Sequence, residues 1–132
     1  MDHNVFSEIT PEIVRLAGMS EQAGIIDTDL FTKYDVKRGL RDLNGKGVLA
    51  GLTNISDVRA SKVVDGVQVP THGRLFYRGY DVKDLVDGFA GENRFGFEEV
   101  TYLLLFDKLP DRDELAQFTR LLSGYRSLPT SF

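Results

Sequence analysis

Residues 73–110, GRLFYRGYDVKDLVDGFAGENRFGFEEVTYLLLFDKLP, decide how this chain folds. The run places a short strand, a tight turn and two helix starts within a few turns of one another. Alternation along Arg74 to Arg78 predicts a strand with Leu75 and Tyr77 on one face and Phe76 and Arg78 on the other. Gly79 supplies a sharp strand-to-helix turn, and Asp81 is placed to cap the next helix. Val82, Leu85 and Val86 share a face of that helix, and Gly88 reads as its stop. Phe97 to Phe106 is the most apolar helix, with Phe97, Val100, Leu103, Leu104 and Phe106 at spacings that suit burial. Leu109-Pro110 breaks it.

Working outward, Asp111 and Glu114 have the spacing of a capping box. They open a last helix lined on one face by Leu115, Phe118, Leu121, Leu122 and Tyr125. The short Pro-containing turn predicts that these two helices form an antiparallel hairpin, with Leu104 and Leu121 as central anchors. Upstream, Val63-Val64 and Val67 to Val69 flank Asp65-Gly66, a strong hairpin signal. Pro70 is expected to end the second arm, because it has no N–H for a ladder bond. Leu52 to Val58 reads as a further strand. The segment from Lys37 to Gly51 holds four glycines and Asn44-Gly45, and reads as a chain of turns. Near the N-terminus, Thr10-Pro11-Glu12 marks a helix start, with Ile13, Val14, Leu16, Ala17 and Met19 as its apolar face and Gly18 as a weak point. A short helix is expected from Thr28 to Tyr34, capped by Asp27 or Thr28, with Leu30, Phe31 and Tyr34 turned towards a partner. The expectation is a mainly α protein with a small antiparallel sheet at about residues 52–77. It divides into a helical and loop arm at 1–50, a β region at 51–80 and helices at 81–126.

Composition limits the functional classes. The length of 132 residues suits a single domain with a modest core. A net charge of −4 argues against sequence-independent nucleic-acid binding, which needs a basic surface. The longest apolar run, Leu103 to Phe106, is far too short for a bilayer span. MDHNVFSEIT lacks the basic and apolar regions of a signal peptide, so a cytoplasmic location is expected. Cysteine is absent, which excludes disulfides and thiolate metal sites.

The signals for chemistry are weak. Gly39 and Gly45-Lys46 are five residues apart where a phosphate loop needs four, and Gly47 stands where Ser or Thr would hold magnesium. His3 and His72 have no nucleophile or carboxylate at a recognisable spacing, so neither is read as catalytic and no zinc site is read. Asp29, Asp81, Glu98, Glu99, Asp111, Asp113 and Glu114 sit at helix starts, where capping explains them. Arg78 is read as a buried arginine that satisfies carbonyl groups, with an anion contact as the runner-up. No catalytic, cofactor or metal residue is assigned.

Gly51-Leu-Thr-Asn-Ile-Ser-Asp57, Gly73-Arg-Leu-Phe-Tyr-Arg-Gly-Tyr-Asp81, Phe97-Glu-Glu-Val-Thr-Tyr-Leu-Leu-Leu105, Leu109-Pro110 and Arg126-Ser-Leu-Pro129 stand in an order and at separations that resemble the N-terminal part of the citrate synthase family. Arg94-Phe-Gly-Phe97 and the hairpin insert at 62–70 resemble one bacterial branch of it. The resemblance implies a mostly helical two-domain homodimer that condenses an acyl-CoA, usually acetyl-CoA, with oxaloacetate and uses no metal. It also implies a catalytic aspartate, histidines that polarise the carbonyls and arginines that bind oxaloacetate, all in motifs beyond residue 132. None of them transfers to a residue here. The expectation is therefore an excised piece of the large domain, inactive alone, that self-associates through the faces of helices 97–106 and 111–125 or of the N-terminal helices. A natural short regulatory module, or a piece of a 2-methylcitrate synthase, are the alternatives.

Overall fold

The computed structural model describes residues 7–37, 39–42, 44–45 and 47–126. In chain order these form α1 (Pro11–Ala23), α2 (Asp29–Lys33), β1 (Ser56–Val64), β2 (Val67–Tyr77), β3 (Tyr80–Asp81), α3 (Val82–Gly91), α4 (Phe97–Phe106) and α5 (Arg112–Gly124). The described residues thus hold five helices and one three-stranded antiparallel sheet of order β1-β2-β3, with α3 packed on the sheet and α1, α4 and α5 on one another.

The helices begin where local chemistry says they should. The Thr10 hydroxyl accepts from the Ile13 N–H at 3.3 Å, and Pro11 occupies the first helical turn. Asp81 accepts from Lys83 N–H at 2.9 Å. The capping box at α5 is complete: Asp111 accepts from Asp113 and Glu114 N–H, and Glu114 accepts from Asp111 N–H. Ahead of α2, the Asp27 carboxylate accepts from Asp29 N–H at 2.9 Å, whereas the Thr28 side chain makes no capping bond. Phe31 and Tyr34 are largely exposed.

The sheet is longer than the sequence suggested. Its first strand starts at Ser56, not Leu52, and β2 runs through Pro70 without a break to Tyr77. Pro70 does not end the arm because the ladder is irregular beside it. The pairing passes from Arg59↔Arg74 to Ser61↔Pro70, so Ala60 lies opposite three residues, Thr71 to Gly73. A missing N–H is tolerated next to such a bulge. Two tight turns close the sheet. Asp65-Gly66 has φ of 52° and 78°, and Arg78-Gly79 has φ of 46° and 85°. Positive φ at both central residues matches the right-handed twist of the flanking strands. Arg78 therefore lies in a two-residue hairpin turn instead of in the strand, and Asp81 belongs to β3 before it caps α3.

Gly88 does not stop α3, which continues to Gly91. The helix ends instead at Asn93, in the left-handed region with φ of 54°, whose N–H donates to the Ala90 carbonyl at 2.9 Å. Asn tolerates that conformation.

The core is aromatic and small. Tyr102, Phe106 and Phe118 meet edge to face, with ring centroids 4.5, 5.3 and 5.8 Å apart, and Leu16 of α1 closes over them. Met19, Leu121 and Leu122 pack around this cluster. The faces expected of α4 need correction. Phe97 is largely exposed and Leu104 only partly buried, while Leu103 and Tyr102 are fully buried. The antiparallel α4–α5 hairpin is as expected: Arg126, just past α5, pairs with Glu98 in the first turn of α4 at 2.6 Å. Lys108 pairs with Glu114 across the connecting turn. A second, separate buried ring is Phe76, held between the guanidinium groups of Arg59 and Arg74 at 4.4 and 4.9 Å.

Candidate functional site

Arg78 is the polar centre of the molecule. Its side chain is 3% exposed, and its guanidinium meets carbonyl groups from three segments. Nη1 donates to the Ala23 carbonyl at 3.0 Å, and Nε and Nη2 donate to the Leu104 carbonyl at 3.2 and 2.8 Å. Nη1 also reaches the Asn54 carbonyl at 3.5 Å. Both helix partners are carbonyls at helix C-termini, which lack intrahelical donors and carry partial negative charge. At the end of α1, the Ser20, Glu21 and Gln22 carbonyls accept from Gly24 and Ile25 N–H, leaving Ala23 for Arg78. At the end of α4, Leu103 accepts from Asp107 N–H, leaving Leu104 for Arg78. Neither helix has a basic residue in its own last turn. The carbonyl-satisfying role expected of Arg78 is the one observed; its carboxylate neighbour, Asp107, stands 3.8 Å away.

The second feature is an open apolar groove of about 370 Å³. Ala17, Ser20 and Thr101 are the small residues lining it, and Ile13, Leu105, Phe118, Leu121 and Tyr125 are among the larger ones. It runs where α1, α4 and α5 come together, above the aromatic cluster. A third feature is a polar hollow edged by Glu92, Arg94, Glu99, Asp111 and Arg112. Arg94 is already engaged there, by Glu92 at 2.6 Å and Glu99 at 2.8 Å, and this pairing, Glu99 first, raises its pKa.

The titratable groups do structural work. Lys83 N–H and then Arg74 hold the Asp81 carboxyl below its usual range. Lys108, and then the Asp111 N–H, do the same for Glu114. Burial, and then the nearby Glu114 carboxylate, raises the Tyr102 phenol, whose hydroxyl makes no hydrogen bond of good geometry. The residues weighed in the sequence are dispersed. His72 is exposed within the bulged part of β2, and His3 lies outside the described residues. In the glycine-rich segment, Arg41 bridges to Gly47 and donates to the Gly45 carbonyl at 2.9 Å, while Lys46 is outside the described residues. Among the described residues no group of three His, Cys, Asp or Glu side chains is placed to hold a metal ion. No helix among them is long and apolar enough to cross a membrane.

Sequence reasoning overlooked the groove and Tyr102. Neither has a local signal: the groove is lined from three helices, and the burial of Tyr102 is set by tertiary contacts.

This architecture defines a structural segment: helices and a hairpin joined through one buried arginine, with a bare apolar channel. The family described as "Citrate synthase, C-terminal domain" matches residues 40–132. A 2-methylcitrate synthase (2-methylcitrate synthase 2) of Corynebacterium glutamicum is 38% identical over 97 residues, 74% of this chain and 20% of its own. The 2-methylcitrate synthase of Shewanella oneidensis is 47% identical over 55 residues, 42% of this chain and 13% of its own. The glyoxysomal citrate synthase of Cucurbita maxima is 28% identical over 116 residues, 85% of this chain and 20% of its own. The chain belongs to the citrate synthase family, and spans about a fifth or less of the length of these relatives. No solved structure matches it.

Proposed function

We propose that residues 1–132 are the N-terminal scaffold of the large domain of a citrate synthase-type acyltransferase and carry no catalysis alone. The observation that supports this reading is the alignment at 38% identity over 97 residues, a stretch that makes up only 20% of that relative. In the whole enzyme an acyl-CoA would condense with oxaloacetate, without a metal, on residues that this chain does not supply. Two acyl groups are in play. Acetyl-CoA gives citrate, and the acyl-CoA one carbon longer gives 2-methylcitrate. The names of the Corynebacterium and Shewanella relatives favour the second, and that of the Cucurbita relative favours the first. A cytoplasmic setting and self-association through the groove-bearing helices complete the proposal.

The test is release of free CoA thiol from acetyl-CoA or propionyl-CoA in the presence of oxaloacetate. The purified chain is expected to give the uncatalysed rate with both thioesters. Turnover of either would overturn the reading.

A further inference from the structure

We propose that Arg78 is a latch that holds α1 as a releasable strap over the aromatic core. Of the thirteen residues of α1, only Leu16 is buried; Val14 is 59% exposed. An isolated helix of that length is marginal in water, so α1 depends on what it docks against. Leu16 provides the buried apolar contact, with Ile13 and Met19 partly covered beside it. The polar anchor is the Ala23 carbonyl, which accepts from Arg78 Nη1 at 3.0 Å and from Asn54 Nδ2 at 3.0 Å.

The same guanidinium grips Leu104 at the end of α4 with two donors, so it ties α1 to α4 through one rigid fork. Its backbone is fixed as well. Arg78 N–H donates to the Ile55 carbonyl at 2.8 Å, within a turn closed by Gly79 at φ of 85°. The latch is thus carried by the sheet and acts on a helix that belongs to a different part of the chain. When it opens, α1 loses its C-terminal anchor, and Tyr102, Phe106 and Phe118 lose the Leu16 cover. Thinly packed elements of this kind open below the energy of global unfolding.

Hydrogen exchange measured by mass spectrometry on the 132-residue chain tests this. In Arg78→Ala, amides of residues 14–24 are expected to lose about ten-fold or more of their protection, the scale of a lost charged hydrogen bond. Those of α5 should stay within about two-fold of wild type, since α5 keeps its own cap and its ring contacts with Tyr102 and Phe106 of α4. Asn54→Ala removes a neutral donor to the same carbonyl and should lower protection over the same residues by about five-fold. Arg78→Lys, which cannot span both helix ends, should resemble Arg78→Ala. If α1 and α5 lose protection together in Asn54→Ala, or if α1 is unchanged in it, the latch is refuted. Should Arg78→Ala fail to fold, Asn54→Ala alone decides. Neither result bears on the family reading, because exchange in α1 does not report on CoA chemistry.

Discussion

Gly96 has no room for a side chain. A Cβ built there would lie 2.3 Å from the Phe89 ring, so the ring or the α3–α4 connection would have to move. Gly96→Ala is expected to destabilise the chain by about 1–3 kcal/mol, as overpacking does, read from the midpoint of urea unfolding. An unchanged midpoint would show that Phe89 swings away freely. Leu103 is fully buried, and Leu103→Ala should cost about 2–5 kcal/mol. Leu104→Ala should cost less, because that side chain is only partly covered. Spacing alone favours Leu104 as the anchor; the two adjacent leucines are separated by which side of α4 meets the body, and that is set by tertiary contacts. Tyr102 gives the opposite sign. Its buried hydroxyl makes no hydrogen bond of good geometry, so Tyr102→Phe removes a desolvated polar atom and keeps the edge-to-face rings. Its stability is expected to equal or exceed wild type by up to about 1 kcal/mol. A loss of several kcal/mol would mean that the hydroxyl is satisfied, with the Glu114 carboxylate as its acceptor.

Among the elements, α5 rests most on local chemistry. Asp111→Ala removes both N-cap bonds and should cost about 0.5–2 kcal/mol, seen as a lower urea midpoint. Its pH dependence has a definite sign. The folded-state pKa of Glu114 is held below the usual 4.5, chiefly by Lys108 and then by the Asp111 N–H. A depressed carboxylate contributes stability above its unfolded pKa and loses it as pH falls through the folded value. Asp81, held down by Lys83 N–H and Arg74, adds in the same direction. The thermal midpoint should therefore hold near neutrality and fall below about pH 4.5, and a Glu114→Gln chain should fall less steeply. A midpoint that rises on acidification would contradict the assignment. These caps, like Thr10 at α1 and Asp65-Gly66 in the hairpin, were legible because each is a contact between residues a few positions apart. Pro70 and Gly88 misled for the complementary reason. Whether a proline ends a strand depends on whether a bulge lies beside it. Whether Gly88 ends α3 depends on the left-handed turn available further along, at Asn93.

At the scale of the molecule, the chain divides its apolar surface unevenly. Among the described residues six hydrophobic side chains are buried, yet Phe95 is 94% exposed and Phe97 67% exposed. The valines at the distal end of the hairpin, Val63, Val64, Val67 and Val69, are also exposed. A two-stranded hairpin of this length is marginal in water by itself. On the reading proposed above, this exposed apolar surface is where another copy of the chain would sit. The arrangement of turns and amphipathic segments was readable from local spacing, and the family from the resemblance of the motifs at 73–81 and 97–105. The groove was not, because it exists only where three helices meet. The central claim is that these faces belong to a scaffold and seek cover. Sedimentation velocity across a wide concentration range tests it most directly. The account predicts a sedimentation coefficient that rises with concentration as copies associate, and a single concentration-independent monomer would contradict it.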